Sequence, residues 1–172
     1  DYQIKKAVEV IKSSKNPIMI SGGGVFYSDA MEELSDFAKK HNIPVTQTVM
    51  GYSTMKRDHS HFLGPIGGLG GKAANNMAKK TDLAIAVGTK LADFTTGSWA
   101  NFENPNFKLV SVNAARFDAN KHMAQAVVGD AKVSLSELSL ALGSWKADDN
   151  WNKKAQIELK SWNEYVDKES GP

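Results

Sequence analysis

Leu83-Ala84-Ile85-Ala86-Val87-Gly88 is the stretch that decides the fold. It is apolar at every position and ends on a glycine. A strand without polar alternation is one covered on both faces. Working outward, Ala73, Ala74, Met77 and Ala78 precede it at helical spacing, with a small-residue face suited to close packing on a sheet. Downstream, Phe107 to Val112 reads as another strand and Ala126-Val127-Val128 as a short one. Gly129-Asp130 then opens a helix carrying Val133, Leu135, Leu138 and Leu142. Upstream, Ile18-Met19-Ile20 runs into Gly22-Gly23-Gly24, a buried strand entering a tight turn. Ile4, Ala7, Val8 and Ile11 predict a helix over 2–14, ended by Asn16-Pro17. Ser28-Asp29 is placed to cap a helix with inner face Met31, Leu34, Phe37 and Ala38, and Asn42 to end it. Pro44 to Val49 reads as the next strand.

The order is α-β-α-β-α-β-β-β-α. Such alternation predicts an α/β, Rossmann-like, doubly wound parallel sheet of five or six strands with helices on both faces. Residues 50–70 and 88–105 show no periodicity and read as two long loops, a length that often carries function. After Gly143 the chain turns highly charged, yet Trp151, Ala155, Leu159, Trp162 and Val166 fall on one helical stripe. The expected division is a domain over 1–145 and a C-terminal helix or linker over 146–172, directed towards a further domain. The Trp stripe packs either on its own domain or on a neighbour.

The chain has 172 residues, 23% charged and 41% hydrophobic, enough for one core without staples. Net charge is +2 and the charges are interspersed, so no basic stripe argues for nucleic acid. With no Cys, disulfides, thiolate metal sites and Cys nucleophiles are excluded. No apolar run approaches the ~20 residues of a membrane helix, and no signal peptide is visible. A cytoplasmic protein is the expectation. The first residue is Asp1 and the first Met is Met19, which suggests a piece of a longer chain.

Gly22-Gly23-Gly24-Val25-Phe26-Tyr27 stands where a dinucleotide fingerprint would stand. Tyr27 in the third glycine position, and a second strand ending in Thr48-Val49 with no acid for a ribose, argue against NAD. Gly67-Gly68-Leu69-Gly70-Gly71-Lys72 precedes a helix and could bare N–H groups to an anion. It is not a Walker A loop, because the glycine spacing is one short and Ala73 replaces Ser or Thr. Close helix packing is the competing reading at both turns. His59-Ser60-His61 has metal-compatible types but no third ligand nearby, so a solvated loop is expected and no metal site. His41 and His122 read as surface or helix-end residues. Gly88 to Trp99 lies at the carboxyl edge of the best strand, where doubly wound folds bind ligands. There Asp93, Thr95, Thr96 and Ser98 form a candidate substrate or interface loop. No paired acid and base is visible, so no catalytic residue is expected in this chain.

In that loop the chain resembles the middle domain of thiamine-diphosphate-dependent enzymes of the acetohydroxyacid synthase type. The matching stretches are ISGGG at 20–24, LGPIGGLGGKAAN at 63–75, DLAIAVGTKLADFTTGSW at 82–99, KLVSVNAARFDANKH at 108–122 and VVGDAK at 127–132. Within the superfamily, DFTTGSW and the Asn113-to-His122 segment are most similar to the trihydroxycyclohexanedione hydrolases of inositol catabolism. The resemblance implies a homo-oligomeric, three-domain parent whose outer domains bind thiamine diphosphate and Mg²⁺. It implies C–C cleavage of a cyclic dione to a deoxyglucuronic acid, with release by water. The domain alone is then inert, a scaffold and interface between flanking domains. In flavin-binding relatives this domain holds FAD, and Gly22, Gly23, Gly67, Gly68, Gly70 and Lys90 map onto that cleft. Lys90 replaces an Arg and Asn113 an Asp. These departures argue against FAD and for a vestigial nucleotide cleft. Two other functions compete: a free-standing FAD- or ADP-binding module, and the middle domain of a synthase-type carboligase.

Overall fold

A computed structural model describes residues 2–171. Six parallel strands form one sheet: β1 (Pro17–Ser21), β2 (Val45–Gln47), β3 (Phe62–Pro65), β4 (Leu83–Val87), β5 (Lys108–Asn113) and β6 (Gln125–Val128). Their order is β3-β2-β1-β4-β5-β6, and every neighbouring pair is parallel. The helices are α1 (Tyr2–Lys12), α2 (Gly23–Tyr27), α3 (Met31–His41), α4 (Lys72–Lys80), α5 (Asp93–Thr96), α6 (Arg116–Ala119), α7 (Ala131–Leu142) and α8 (Asp149–Glu169). This is the expected α/β, Rossmann-like architecture.

The period of two along β4 sorts its side chains by size. Leu83, Ile85 and Val87 face one layer with Met19, Leu34, Phe37 and the inner residues of α1, α3 and α7. Ala84 and Ala86 face the other, with Ile18, Ile20 and Ala73, Ala74 and Ala78 of α4. Small residues on both sides let α4 lie close to the sheet. Beside α4, against β3, lies α8, whose Trp151 and Ala155 are buried in that second layer. The indole N–H of Trp151 donates to the carbonyl of Pro17 at 2.8 Å.

Several local expectations change. Residues 50–70 are not one loop, because β3 lies inside them and pairs with β2. It is a four-residue edge strand ending in Gly64-Pro65, with a register shift at Val45/Thr46, so it has no periodicity to read. Ser28-Asp29 does not cap α3. The chain first makes the short α2, and the cap position falls to Ala30, without a side-chain hydrogen bond. Asn42 does end α3, in the left-handed conformation (φ 55°). Val133 is exposed, and Ser134 takes its place on the inner face of α7.

His41 is a helix-end residue, the last of α3, but it is fully buried rather than at the surface, at 0% exposure. Its Nδ1–H donates to the Trp145 carbonyl at 2.6 Å, and its Nε2 pairs with Ser139 Oγ at 3.1 Å. His61 is 7% exposed rather than solvated. Its Nε2–H donates to Asn42 Oδ1 at 2.9 Å, while Asn42 Nδ2 donates to Ala147 O and Asp149 Oδ1. The α7–α8 connection is thereby tied to the end of α3 and the start of β3.

Burial holds both imidazoles below their ordinary pKa, His61 to about 4. A depressed histidine contributes stability that is complete above pH 6.5 and lost as pH falls towards the folded value. His61 accounts for up to about 3 kcal/mol between pH 6.5 and 4, and His41 adds in the same direction. Urea unfolding at pH 7.5, 6 and 5 should show falling stability, with a shallower fall in His61→Gln. A flat profile would contradict this account.

Candidate functional site at the carboxyl edge of the sheet

The chain leaves β1 towards β2 on one side and leaves β4 towards β5 on the other. The crevice between their carboxyl ends is where ligands of doubly wound sheets bind. Gly22–Gly24 and Gly88–Lys90 form its two lips. The lips touch backbone to backbone. Gly24 N–H donates to Gly88 O, and Gly22 N–H to Val87 O, each at 2.9 Å. A Cβ on Gly24 would lie 2.6 Å from Gly88 Cα, and one on Gly22 would meet Gly88 O and lie 2.6 Å from Thr89 Cβ. Beside this contact remains a cavity of about 190 Å³ lined by Ser28, Thr89, Lys90, Asn113 and Asp118. Drug-sized ligand pockets run about 300–1,000 Å³.

The second glycine cluster is also filled from within. Gly67 N–H donates to Asn75 Oδ1, Gly68 N–H to Phe94 O, Gly70 N–H to Gly67 O and Gly71 N–H to Pro65 O, at 2.7–2.9 Å. These four donors, the ones an anion would need, are satisfied by the chain itself. The indole of Trp162 on α8 covers Gly71, leaving a Cβ there only 2.9 Å from Nε1. A Cβ on Gly67 would meet Phe94 O and lie 2.9 Å from Thr95 Cα.

The structure thus brings the two predicted glycine clusters and the 93–99 loop to one edge but gives their N–H groups partners within the chain. Thr96 is buried, with Oγ1 accepting from Trp99 N–H at 3.2 Å. Asp93 heads α5, and its carbonyl accepts from Ser98 N–H at 3.1 Å. The Asp93 and Ser98 side chains are exposed, as is Lys90, which has no ion-pair partner among the described residues.

Two asparagines organise the edge: Asn75, which the sequence did not single out, and Asn113, expected only as the replacement of an Asp. Asn75 accepts from Gly67 N–H, donates to Gly67 O at 3.0 Å and accepts from Asn101 Nδ2 at 3.2 Å, joining α4, the glycine loop and the 93–101 loop. Asn113 donates to Thr89 O at 3.1 Å and accepts from Ala115 N–H at 2.9 Å, bridging the β4 and β5 loops. Asn75→Ala leaves the N–H of buried Gly67 without its acceptor, while Gly67 O keeps the N–H of Gly70. It should cost about 1–3 kcal/mol in urea unfolding; a loss near zero would mean that water replaces the amide.

Among the described residues, no group of three or more His, Asp or Glu could hold a metal ion. Asp130, expected to open a helix, is the N-cap of α7 and accepts from Lys132 and Val133 N–H. The Ser28 hydroxyl, together with these two amides, keeps its carboxyl below the usual range. The residues here do not fit thiamine diphosphate with its metal.

Strand order, switch-point crevice and glycine turns define a doubly wound parallel α/β domain. The family model described as thiamine pyrophosphate enzyme, central domain, matches residues 4–138, and the chain belongs to that family. It is 41% identical over 162 residues to 3D-(3,5/4)-trihydroxycyclohexane-1,2-dione hydrolase of Clostridium perfringens (strain 13), covering 94% of this chain and 25% of that protein. It is 46% identical over 132 residues to 3D-(3,5/4)-trihydroxycyclohexane-1,2-dione hydrolase 2 of Bacillus cereus (strain ZK / E33L), covering 77% of this chain and 20% of that protein. The hydrolase of Bacillus anthracis gives the same identity and coverage. The chain therefore spans a quarter or less of the length of these curated relatives.

Proposed function

We propose that this chain is the central domain of a longer thiamine-diphosphate-dependent hydrolase that opens trihydroxycyclohexane-1,2-dione to 5-deoxyglucuronate in inositol catabolism. The observation that carries this reading is 41% identity across 94% of the chain to a protein of that name. The cofactor and Mg²⁺ would be held by flanking domains of the parent, a cytoplasmic homo-oligomer. Residues 1–145 form the central domain and 146–172 a helix leading towards a flanking domain; Asp1 and Pro172 lie outside the described residues. The role of this domain is scaffold and interface. Its nucleotide cleft is vestigial, a reading supported by the backbone contacts that close it.

The test is to assay the parent, loaded with its cofactor, on the cyclic dione and on pyruvate. Ring opening of the dione without condensation of pyruvate is expected. Condensation without ring opening would replace the hydrolase by a carboligase. In the same parent, Lys90→Ala should leave thiamine diphosphate affinity within about twofold, less than 0.5 kcal/mol. A tenfold loss would overturn the scaffold role.

A further inference from the structure

The two ends of the sheet carry different chemistry. At the amino edge, a groove is lined by Lys15, Lys80, Lys146 and Lys154, charges that favour water. At the carboxyl edge, successive strand-to-helix connections each present a large apolar side chain. Phe26 and Tyr27 follow β1, Met50 and Tyr52 follow β2, Leu69 follows β3 and Phe94 follows β4, each more than half exposed. The connections adjoin. Gly23 lies against Met50, and Gly68 against the ring of Phe94. Tyr52 and Leu69 share a cavity of about 570 Å³ with Trp162. The side chains form one band along one edge. Single exposed apolar residues are ordinary, but a contiguous band marks a surface that another body covers.

Both terminal helices point to the same edge. At the start of α1, Gln3 Oε1 accepts from Val128 N–H at the carboxyl end of β6. α8 begins at the amino edge, where Trp151 bonds to Pro17, and reaches the carboxyl edge at Trp162, over Gly71. From Trp162 to Glu169 it extends a further ~10 Å at 1.5 Å per residue. That extension carries Tyr165 stacked on Trp162, and Tyr165 is itself exposed. Three quarters or more of the relatives' length lies outside the segment they share with this chain.

We propose that the apolar band at the carboxyl edge, with the projecting end of α8, is the docking surface for the flanking part of the same longer chain. A flanking domain that enters or leaves at this edge is held at high effective concentration there, so modest apolar contacts suffice. This rests on the central-domain reading but not on the identity of the substrate.

Hydroxyl-radical footprinting of the intact parent, read by mass spectrometry at each side chain, tests it without any substitution. Met50 (71% exposed) and Met123 (100% exposed) are a matched pair, one in the band and one outside it. In the folded parent Met50 should oxidise at least about tenfold more slowly than in the urea-unfolded parent, with Phe26, Tyr27, Tyr52 and Phe94 protected alongside it. Met123 reports that the radical dose reaches the folded chain. Oxidation of Met50 at its unfolded rate would overturn the proposal. So would protection that vanishes on hundredfold dilution of the parent, which would assign the surface to a second copy. A parent that opens no dione yet shields Met50 removes the proposed function and leaves the surface standing.

Discussion

Gly22→Ala should lower the stability of this chain by about 3 kcal/mol with no ligand present, at the upper end of overpacking costs. The reason is steric and local. Gly22 has φ −109° and ψ −176°, a conformation open to any residue, so the substitution carries no backbone strain. What it does carry is a methyl group aimed at the Gly88 carbonyl and at Thr89 Cβ, 2.6 Å away. Backbone cannot rotate aside as a side chain can. Relief requires separating β1 from the β4 turn and stretching the Gly24 N–H bond to Gly88 O. For a domain of this size the fall in Tm should be about 6–12 °C. A phosphate-binding role predicts the reverse pattern, with unchanged stability and lost nucleotide affinity. Thermal unfolding of the ligand-free variant separates the two.

Trp151→Ala should cost about 3–5 kcal/mol, the usual range for truncating a buried tryptophan. Its ring is buried in the core layer that α4 and α8 share with the sheet, and its N–H satisfies the Pro17 carbonyl. Truncation opens a cavity and orphans that carbonyl. Trp151→Phe keeps most of the apolar contact and removes the hydrogen bond, so about 1–2 kcal/mol is expected. The polar anchors of α8, Gln156 to Phe62 O and Glu158 to Asn76 and Lys80, lie on partly exposed side chains and cannot replace the loss. Hydrogen exchange in 149–169 should rise in Trp151→Ala before it rises in β4. A cost below about 1 kcal/mol would mean that α8 is not held by this contact.

The alternation of strands and helices was legible because β4 is buried on both faces and shows it as an unbroken apolar run. β3 was not, because four edge residues that include Gly64 and Pro65 carry no period. The burial of His41 was also illegible. Its partners lie 98 and 104 residues away, and only the tertiary fold brings α7 and its following turn against α3. At the carboxyl edge, the sequence located the glycine turns correctly but could not say what fills them. Glycine next to a strand end is required equally by an approaching phosphate and by an approaching backbone. Asn75, Asn101 and Phe94 decide between these here, and their parts depend on contacts across three separate loops.

The Trp stripe of α8 divides along its length in a way that helical periodicity does not predict. Trp151 and Ala155 are buried in this domain, Leu159 and Trp162 are half-buried against β3 and the glycine loop, and Val166 stands clear of it. One helix thus serves two roles, locking the second layer of the core at its start and extending past the sheet at its end.

Thermal unfolding of this chain with FAD, ADP or NAD in excess decides whether the glycine-rich edge holds loops together or holds a nucleotide. A ligand at a hundredfold excess over its Kd stabilises by about 2.7 kcal/mol, a shift of several degrees. No shift is expected with any of the three at millimolar concentration. A rise with FAD or ADP that disappears in Lys90→Ala would contradict it and restore the crevice between β1 and β4 as a working nucleotide site.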